Sequence, residues 1–285
     1  MPVDYEAEYN NRARVPEHPE IIAGWERDAA AYRTERTGHC ELGLAFGATP
    51  RQTMDIFWPD NRTDDTPVAM FIHGGYWQAL DGSLFSHMAR GPNANGVAVA
   101  IPSYDLCPVV SMETIVIQMH HACAFLARHV GRGFAVTGHS AGGHLAAAMM
   151  ATHWPAVGDD LPAGLIRFAM PISGLFDLRP LLETSLNDAL RMTDGSVDAI
   201  SPITLKPPVP STLVAIVGLD ESDEFRRQSK EFGATWANAG VTARYVEVPG
   251  MNHFTVIAPL ADPDHAMTKA LANMARQASS PQATG

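Results

Sequence analysis

Ser140 stands at the centre of Gly138-His139-Ser140-Ala141-Gly142, a G-x-S-x-G pentapeptide between an apolar run, 134–138, and a small-residue helical run, 144–151. At ordinary glycine and serine usage the bare pattern arises by chance in roughly one chain in ten of this length, so the strand–turn–helix setting carries the argument. A serine hydroxyl acts as a nucleophile when it sits on a tight, strained turn with its Oγ above the sheet edge. Glycines two residues to either side remove side chains that would collide there. The next residue opens a helix, so the N–H of Ala141 can donate to a developing oxyanion. Upstream, His73-Gly74-Gly75-Tyr76-Trp77 follows another apolar run. Two glycines let the backbone approach a substrate closely, and Gly74 and Gly75 join Ala141 as the expected oxyanion donors. These residue types point to acyl transfer through a covalent serine intermediate.

Such a serine needs a base, and the base needs a carboxylate. Around this kind of turn the chain order is Ser, acid, His. His253, in Pro249-Gly250-Met251-Asn252-His253-Phe254, follows the run 244–248 and is the expected base. His120 and His121 fall within a long helical pattern, and no histidine pair has a metal-ligand spacing, so neither a metal site nor a cofactor is expected. The acid is open: Asp220 and Glu221 both follow the run 213–217 at the right depth to orient an imidazole. Asp177 is a third option, though it also reads as an N-cap for the segment after it. Asp223 and Glu224 read as first-turn helix acids.

The elements that must hold these residues alternate. Apolar, β-branched runs predict strands over 53–58, 68–73, 97–103, 134–138, 166–172, 213–217 and 244–248. Three- and four-residue spacing predicts helices over 83–93, 112–130, 142–152, 224–239 and 264–276. Ile115, Met119, Ala122 and Leu126 form the apolar stripe of the second of these. Continuous apolar strands linked by helices imply an α/β fold, a mostly parallel central sheet with helices on both faces. Residues 1–40 read as a polar arm and one helix with Ile21, Ile22 and Trp25 on its apolar side, packed on a single domain over 41–276. The segment 175–210 breaks the rhythm and is the expected cap over the pocket; 277–285 reads as a disordered tail.

With 285 residues, 46% of them hydrophobic, one large core is affordable. A net charge of −11 without long runs of one sign argues against nucleic-acid binding. Cys40, Cys107 and Cys123 are scattered and odd in number, which fits a reducing cytoplasm. The polar N-terminus has no secretory pattern, and the apolar stretch 145–151 is too short for a bilayer. The expected partner is a small-molecule substrate, with no nucleic acid and no membrane, and a homodimer is compatible with the sequence.

Taken together, HGGYW, GHSAGGH, SGLFDL, ESDEFRRQS and NHF resemble the kynurenine formamidase (arylformamidase) branch of the α/β-hydrolases, over nearly the whole chain. The resemblance implies an α/β-hydrolase fold and a metal-independent Ser–acid–His triad that hydrolyses N-formylkynurenine to kynurenine and formate. It implies Ser140 as nucleophile and His253 as base. The acid position, directly before S-x-E-F, falls on Glu221, where family members often carry aspartate; Asp220 is the runner-up. A pocket for a planar ring should be lined by Tyr76, Trp77 and Phe176. Two alternatives stand beside this reading. One is a carboxylesterase or thioesterase for short acyl chains; the other is a non-catalytic hydrolase-fold binding protein.

Overall fold

Val68, Met70 and Ile72 bury themselves on one face of a sheet and Ala69 and Phe71 on the other, as the two-residue repeat of a doubly covered strand requires. The computed structural model describes residues 2–280. Its sheet has eight strands: β1 (Cys40–Ala45), β2 (Thr53–Phe57), β3 (Val68–Ile72), β4 (Ala98–Pro102), β5 (Ala135–His139), β6 (Phe168–Ile172), β7 (Thr212–Gly218) and β8 (Thr242–Val248). They lie in the order β1-β2-β4-β3-β5-β6-β7-β8. The β1–β2 and β2–β4 pairs are antiparallel, and every pair from β4 to β8 is parallel. This is the mostly parallel α/β-hydrolase sheet that the sequence implied.

The expected strands all form. The strand that sequence patterning missed, β1, is a half-exposed edge strand with Glu41 on it and an irregularity between Glu41 and Leu44. Gly43 lies there at φ +68°, so the alternation that marks a strand is broken.

Nine α-helices among the described residues surround the sheet. Three come before β1: α1 (Tyr5–Tyr9), α2 (Asn11–Arg14) and α3 (His18–Glu35). The arm is therefore two short helices and a long one, and α3 buries Trp25, Ala29 and Tyr32, whereas Ile21 and Ile22 are only half-buried. The helix expected over 83–93 winds as 3₁₀ over Gly82–Ala89 and as α only in α4 (Arg90–Ala94). Pro92 has no N–H to aim at the carbonyl four residues back, so an unbroken α-helix is not available there.

The next two are α5 (Met112–Val130) and α6 (Ala141–Met150). Ser111 caps α5 by accepting from the Thr114 N–H, and Gly131 closes it in a left-handed conformation at φ +69°. The stripe of Ile115, Met119, Ala122 and Leu126 is fully buried. Next comes α7 (Asn187–Leu190), then α8 (Asp223–Asn238) and α9 (Ala266–Ser279). Residues of α5, α6 and α8 share one core cluster with one face of the sheet, and residues of α3 and α9 share a second cluster with the other. Helix α9 runs three residues into the tail expected to be disordered from 277, because Met274 and Ala275 are still buried against the sheet; 281–285 lie outside the described residues.

Topology now matters for chemistry. The chain leaves β3 into the Gly74-Gly75 loop, β5 into Ser140, β6 into Ser173, β7 into Glu221 and β8 into His253. These strands run parallel in neighbouring positions, so five separated stretches of sequence arrive at one sheet edge, where α/β folds place their ligands. Among the described residues no helix is long and apolar enough to cross a membrane.

Candidate active site

Ser140 is forced into an unusual conformation. Its φ of 56° and ψ of −119° lie outside the regions that non-glycine residues prefer, and its N–H is held by the Ile172 carbonyl at 2.9 Å. The flanking glycines are required by contact: a Cβ on Gly142 would meet the Ile72 carbonyl oxygen at 2.0 Å, and one on Gly138 would meet the Gly142 oxygen at 2.3 Å. The turn lifts the Ser140 hydroxyl towards the loop after β8. There Oγ lies 3.0 Å from His253 Nε2, while His253 Nδ1 lies 2.6 Å from Glu221 Oε2. With the proton on Nδ1, the ring donates to the carboxylate and accepts from the hydroxyl, which is the tautomer that general-base action needs.

The carboxylate that faces the ring is therefore Glu221's. Asp220 is exposed, and its backbone N–H donates to the Met251 carbonyl at 3.1 Å. Asp177 accepts from the Arg179 N–H at 3.1 Å in a local Asx-type turn, while the N-cap of the 3₁₀ segment that follows is Leu178, not the expected Asp177.

Glu221 is itself held on its other oxygen. Oε1 accepts from the Ser173 hydroxyl at 2.5 Å and from the Gly218 N–H at 2.7 Å. Ser173 is fully buried and has φ +50°. His253 is fixed from behind: His139 Nε2–H donates to its backbone carbonyl at 2.8 Å. Burial, and then the neighbouring imidazole, hold His139 well below the usual histidine range, so it stays a neutral donor.

The loop after β3 lies against the nucleophile. A Cβ on Gly74 would sit 3.0 Å from Ser140 Cβ, and Gly75 has φ +111° and lines the cavity. Ala141 begins α6, so its N–H has no partner within the helix. His73 shapes this loop. Its Nδ1–H donates to the Gly74 carbonyl at 2.8 Å, its ring stacks on Tyr104 at 4.2 Å, and burial lowers its pKa to about 4.

Above Ser140 and His253 lies a cavity of about 430 Å³, within the range of small-molecule sites. Ile22, Trp25, Leu80 and Phe254 give it an apolar wall. The 175–210 segment supplies Thr184, Ser185 and Leu186, while Leu178, Leu181, Leu190 and Ile200 anchor that segment in the core. A larger share of the wall comes from the arm: Glu6, Tyr9, Asn10, Asn11 and Arg12. The arm is bonded at several points. Tyr76 Oη–H donates to the Tyr9 carbonyl at 2.6 Å, and Asn11 Nδ2–H donates to Tyr76 Oη at 3.1 Å. Tyr9 Oη–H donates to Glu224 at 3.0 Å, and the Ser185 N–H and hydroxyl both donate to Glu6 at 2.7 Å.

Of the three aromatic residues expected in the pocket, the structure brings one. Tyr76 lines the cavity. Trp77 is fully buried edge-on to His144 at 5.0 Å, and Phe176 is fully buried in a stack with Phe232 at 4.1 Å. The apolar burial of both rings inside the core outweighs their nearness in sequence to the site. The arm residues, Ser173 and the roles of His73 and His139 were missed. No motif marks the arm, whose polar residues look like those of any exposed terminus. Glu224, expected as a first-turn acid, also binds Tyr9 and is buried. Among the described residues no group of three His, Cys, Asp or Glu side chains is placed to hold a metal ion.

Residues 54–158, from β2 through α6 and beyond, match the family model described as BD-FAE. A kynurenine formamidase of Salmo salar is 31% identical over 82% of this chain and 81% of its own length. A kynurenine formamidase of Drosophila melanogaster is 27% identical over 85% and 83%. Among solved structures, a Silicibacter sp. protein described provisionally as a thioesterase is 33% identical, with a TM-score of 0.87 over 95% of this chain and 99% of that one. Esterase B of Lactobacillus rhamnosis, at 21% identity and a TM-score of 0.66 over 92% and 95%, shares the fold. The chain is thus an enzyme of the hydrolase class, and it belongs to the kynurenine formamidase family of α/β-hydrolases.

Proposed function

We propose that the chain is a serine hydrolase that cleaves aryl formamides of the N-formylkynurenine type to an arylamine and formate. The observation that carries this is the hydrogen-bonded series Ser140–His253–Glu221 at the floor of a cavity, in a chain whose relatives are kynurenine formamidases. Ser140 Oγ attacks the formyl carbon while His253 Nε2 takes its proton. The tetrahedral oxyanion is held by N–H groups of Gly74, Gly75 and Ala141. His253 then protonates the departing nitrogen, the C–N bond breaks, and a formyl ester remains on Ser140. Water, deprotonated by the same imidazole, attacks that ester; the bond from Oγ to the formyl carbon breaks as the imidazolium returns its proton to Ser140 Oγ, and formate leaves. Glu221 keeps the ring in the tautomer that can accept from the hydroxyl and stabilises the imidazolium formed at each transfer. No metal or cofactor has a step in this scheme, and its setting is the reducing cytoplasm.

Turnover of N-formylkynurenine, lost by about 10⁴-fold or more in Ser140→Ala, is the expected result. A fluorophosphonate probe should label the wild-type chain at Ser140. Labelling without any formamide turnover would reject the substrate assignment but not the nucleophile; no labelling would reject both and favour a binding protein. A second reading, an esterase or thioesterase for short acyl chains, is favoured by the provisional description of the Silicibacter neighbour. Comparison of kcat/KM for p-nitrophenyl acetate, a short thioester and an aryl formamide separates the two.

A further inference from the structure

We infer that Arg12 forms an anion subsite of the same cavity, and that the enzyme selects acyl compounds carrying a carboxylate on the part remote from the bond that is cut. The inference rests on the hydrolase reading above and adds the residue that sets its specificity.

Arg12 lies in α2 and lines the cavity that has Ser140 and His253 at its floor. It is exposed, and it makes no hydrogen bond or ion pair with any described residue. Two positions on, Arg14 is paired, donating to Glu8 at 2.6 Å and to the Ala7 carbonyl at 3.2 Å. The other formal charge on the cavity wall is Glu6, and it makes no ion pair with Arg12. Its carboxylate accepts from the Ser185 N–H and hydroxyl at 2.7 Å each, and those bonds hold it below the usual carboxylate range. Arg12 is thus left without an ionic partner on the wall of a cavity, in a chain whose net charge is −11.

The backbone that carries Arg12 is fixed before any ligand arrives. Asn10 caps α2 through the Ala13 N–H at 3.1 Å, Asn11 is buried and donates to Tyr76 Oη, and Val15 is buried beyond it. A cation on a pinned support loses less freedom on binding than one on a loose terminus. Its planar fork matches a carboxylate through two parallel hydrogen bonds, which an ammonium cannot do. The apolar wall of Ile22, Trp25, Leu80 and Phe254 offers a carboxylate nothing but suits a flat ring. The ligand that satisfies both is an apolar planar body with the scissile acyl group at the Ser140 end and an anion at the arm.

The test compares N-formylkynurenine with its primary carboxamide, which keeps the shape and removes the negative charge. In the wild-type chain kcat/KM should favour the acid, and added salt should shrink that preference. R12Q should lower the acid-to-carboxamide ratio about tenfold, mainly through KM, and R12K should restore part of it. An equal ratio in wild type and R12Q overturns the subsite. If neither formamide is turned over, the formamidase reading fails, and the subsite is read from 4-acetoxybenzoate against phenyl acetate. The same tenfold loss of preference in R12Q then supports it, and an unchanged ratio overturns it.

Discussion

A glutamate at position 221 has one more rotatable bond than an aspartate would, so its carboxylate must be held more firmly to keep one oxygen on His253. Ser173 and the Gly218 N–H do this by occupying Oε1, which leaves Oε2 for the imidazole. Glu221→Gln is expected to lower kcat by about 10²–10⁴, because the amide can present an N–H to Nδ1 and reverse the tautomer. Asp220→Asn should leave kcat within about twofold, since this exposed side chain is away from the ring. Steady-state kinetics on the two variants decides the acid. Ser173 acts through Glu221 and is a positioning residue. Ser173→Ala should cost about tenfold in kcat with little change in KM, the loss of roughly one orienting hydrogen bond. An equal loss in KM alone would place Ser173 at substrate instead.

At the scale of elements, the cavity is shared between a conventional sheet edge and an arm that reaches over it. The joint between them is Tyr76, whose hydroxyl donates to the Tyr9 carbonyl and accepts from Asn11. Tyr76 has φ +50°, an uncommon conformation that turns the ring out of the loop after β3 and towards the arm. Tyr76→Phe removes both bonds and leaves a carbonyl and an amide without that partner. Amide exchange across 5–15 should accelerate, thermal stability should fall by about 1–2 kcal/mol, and KM should rise severalfold. Exchange measured by mass spectrometry checks the first of these; protection equal to wild type would show that Tyr9 with Glu224, and Glu6 with Ser185, suffice to hold the arm.

The whole molecule buries histidines in numbers that set its acid limit. Burial lowers His73, His87 and His144 to about 4, and His139 lies well below its ordinary value. The folded chain keeps these rings neutral, whereas the unfolded chain protonates them as pH falls through about 6.5. Unfolded protein then binds more protons than folded, so stability must fall as pH drops from about 6.5 towards about 4, by up to about 1.4 kcal/mol per pH unit for each ring. Denaturant midpoints measured at intervals across that window should decline steadily on acidification. A flat profile would mean that these rings already titrate normally in the folded state.

Much of this architecture is legible in residue order alone. Periodicity found seven of the eight strands and the major helices, because a strand or helix with a buried face must repeat apolar residues at its own period. The turn at Ser140, the loop at Gly74 and the base at His253 were also legible, since glycine contacts and chain order constrain them locally. The edge strand β1 was hidden by its half-exposed, bulged pattern. Three choices belonged to the tertiary structure. Glu221 rather than Asp220 meets the imidazole, because adjacent side chains leave the β7 turn in different directions and only a partner over 30 positions away distinguishes them. Trp77 and Phe176 go into the core, not the pocket. The arm closes the cavity through bonds to residues 65 to more than 200 positions distant. Sequence by itself determined which chemical groups exist and which element carries each, since those follow from local period and turn geometry. Packing decided which groups meet, since contact between remote segments depends on the path of the whole chain.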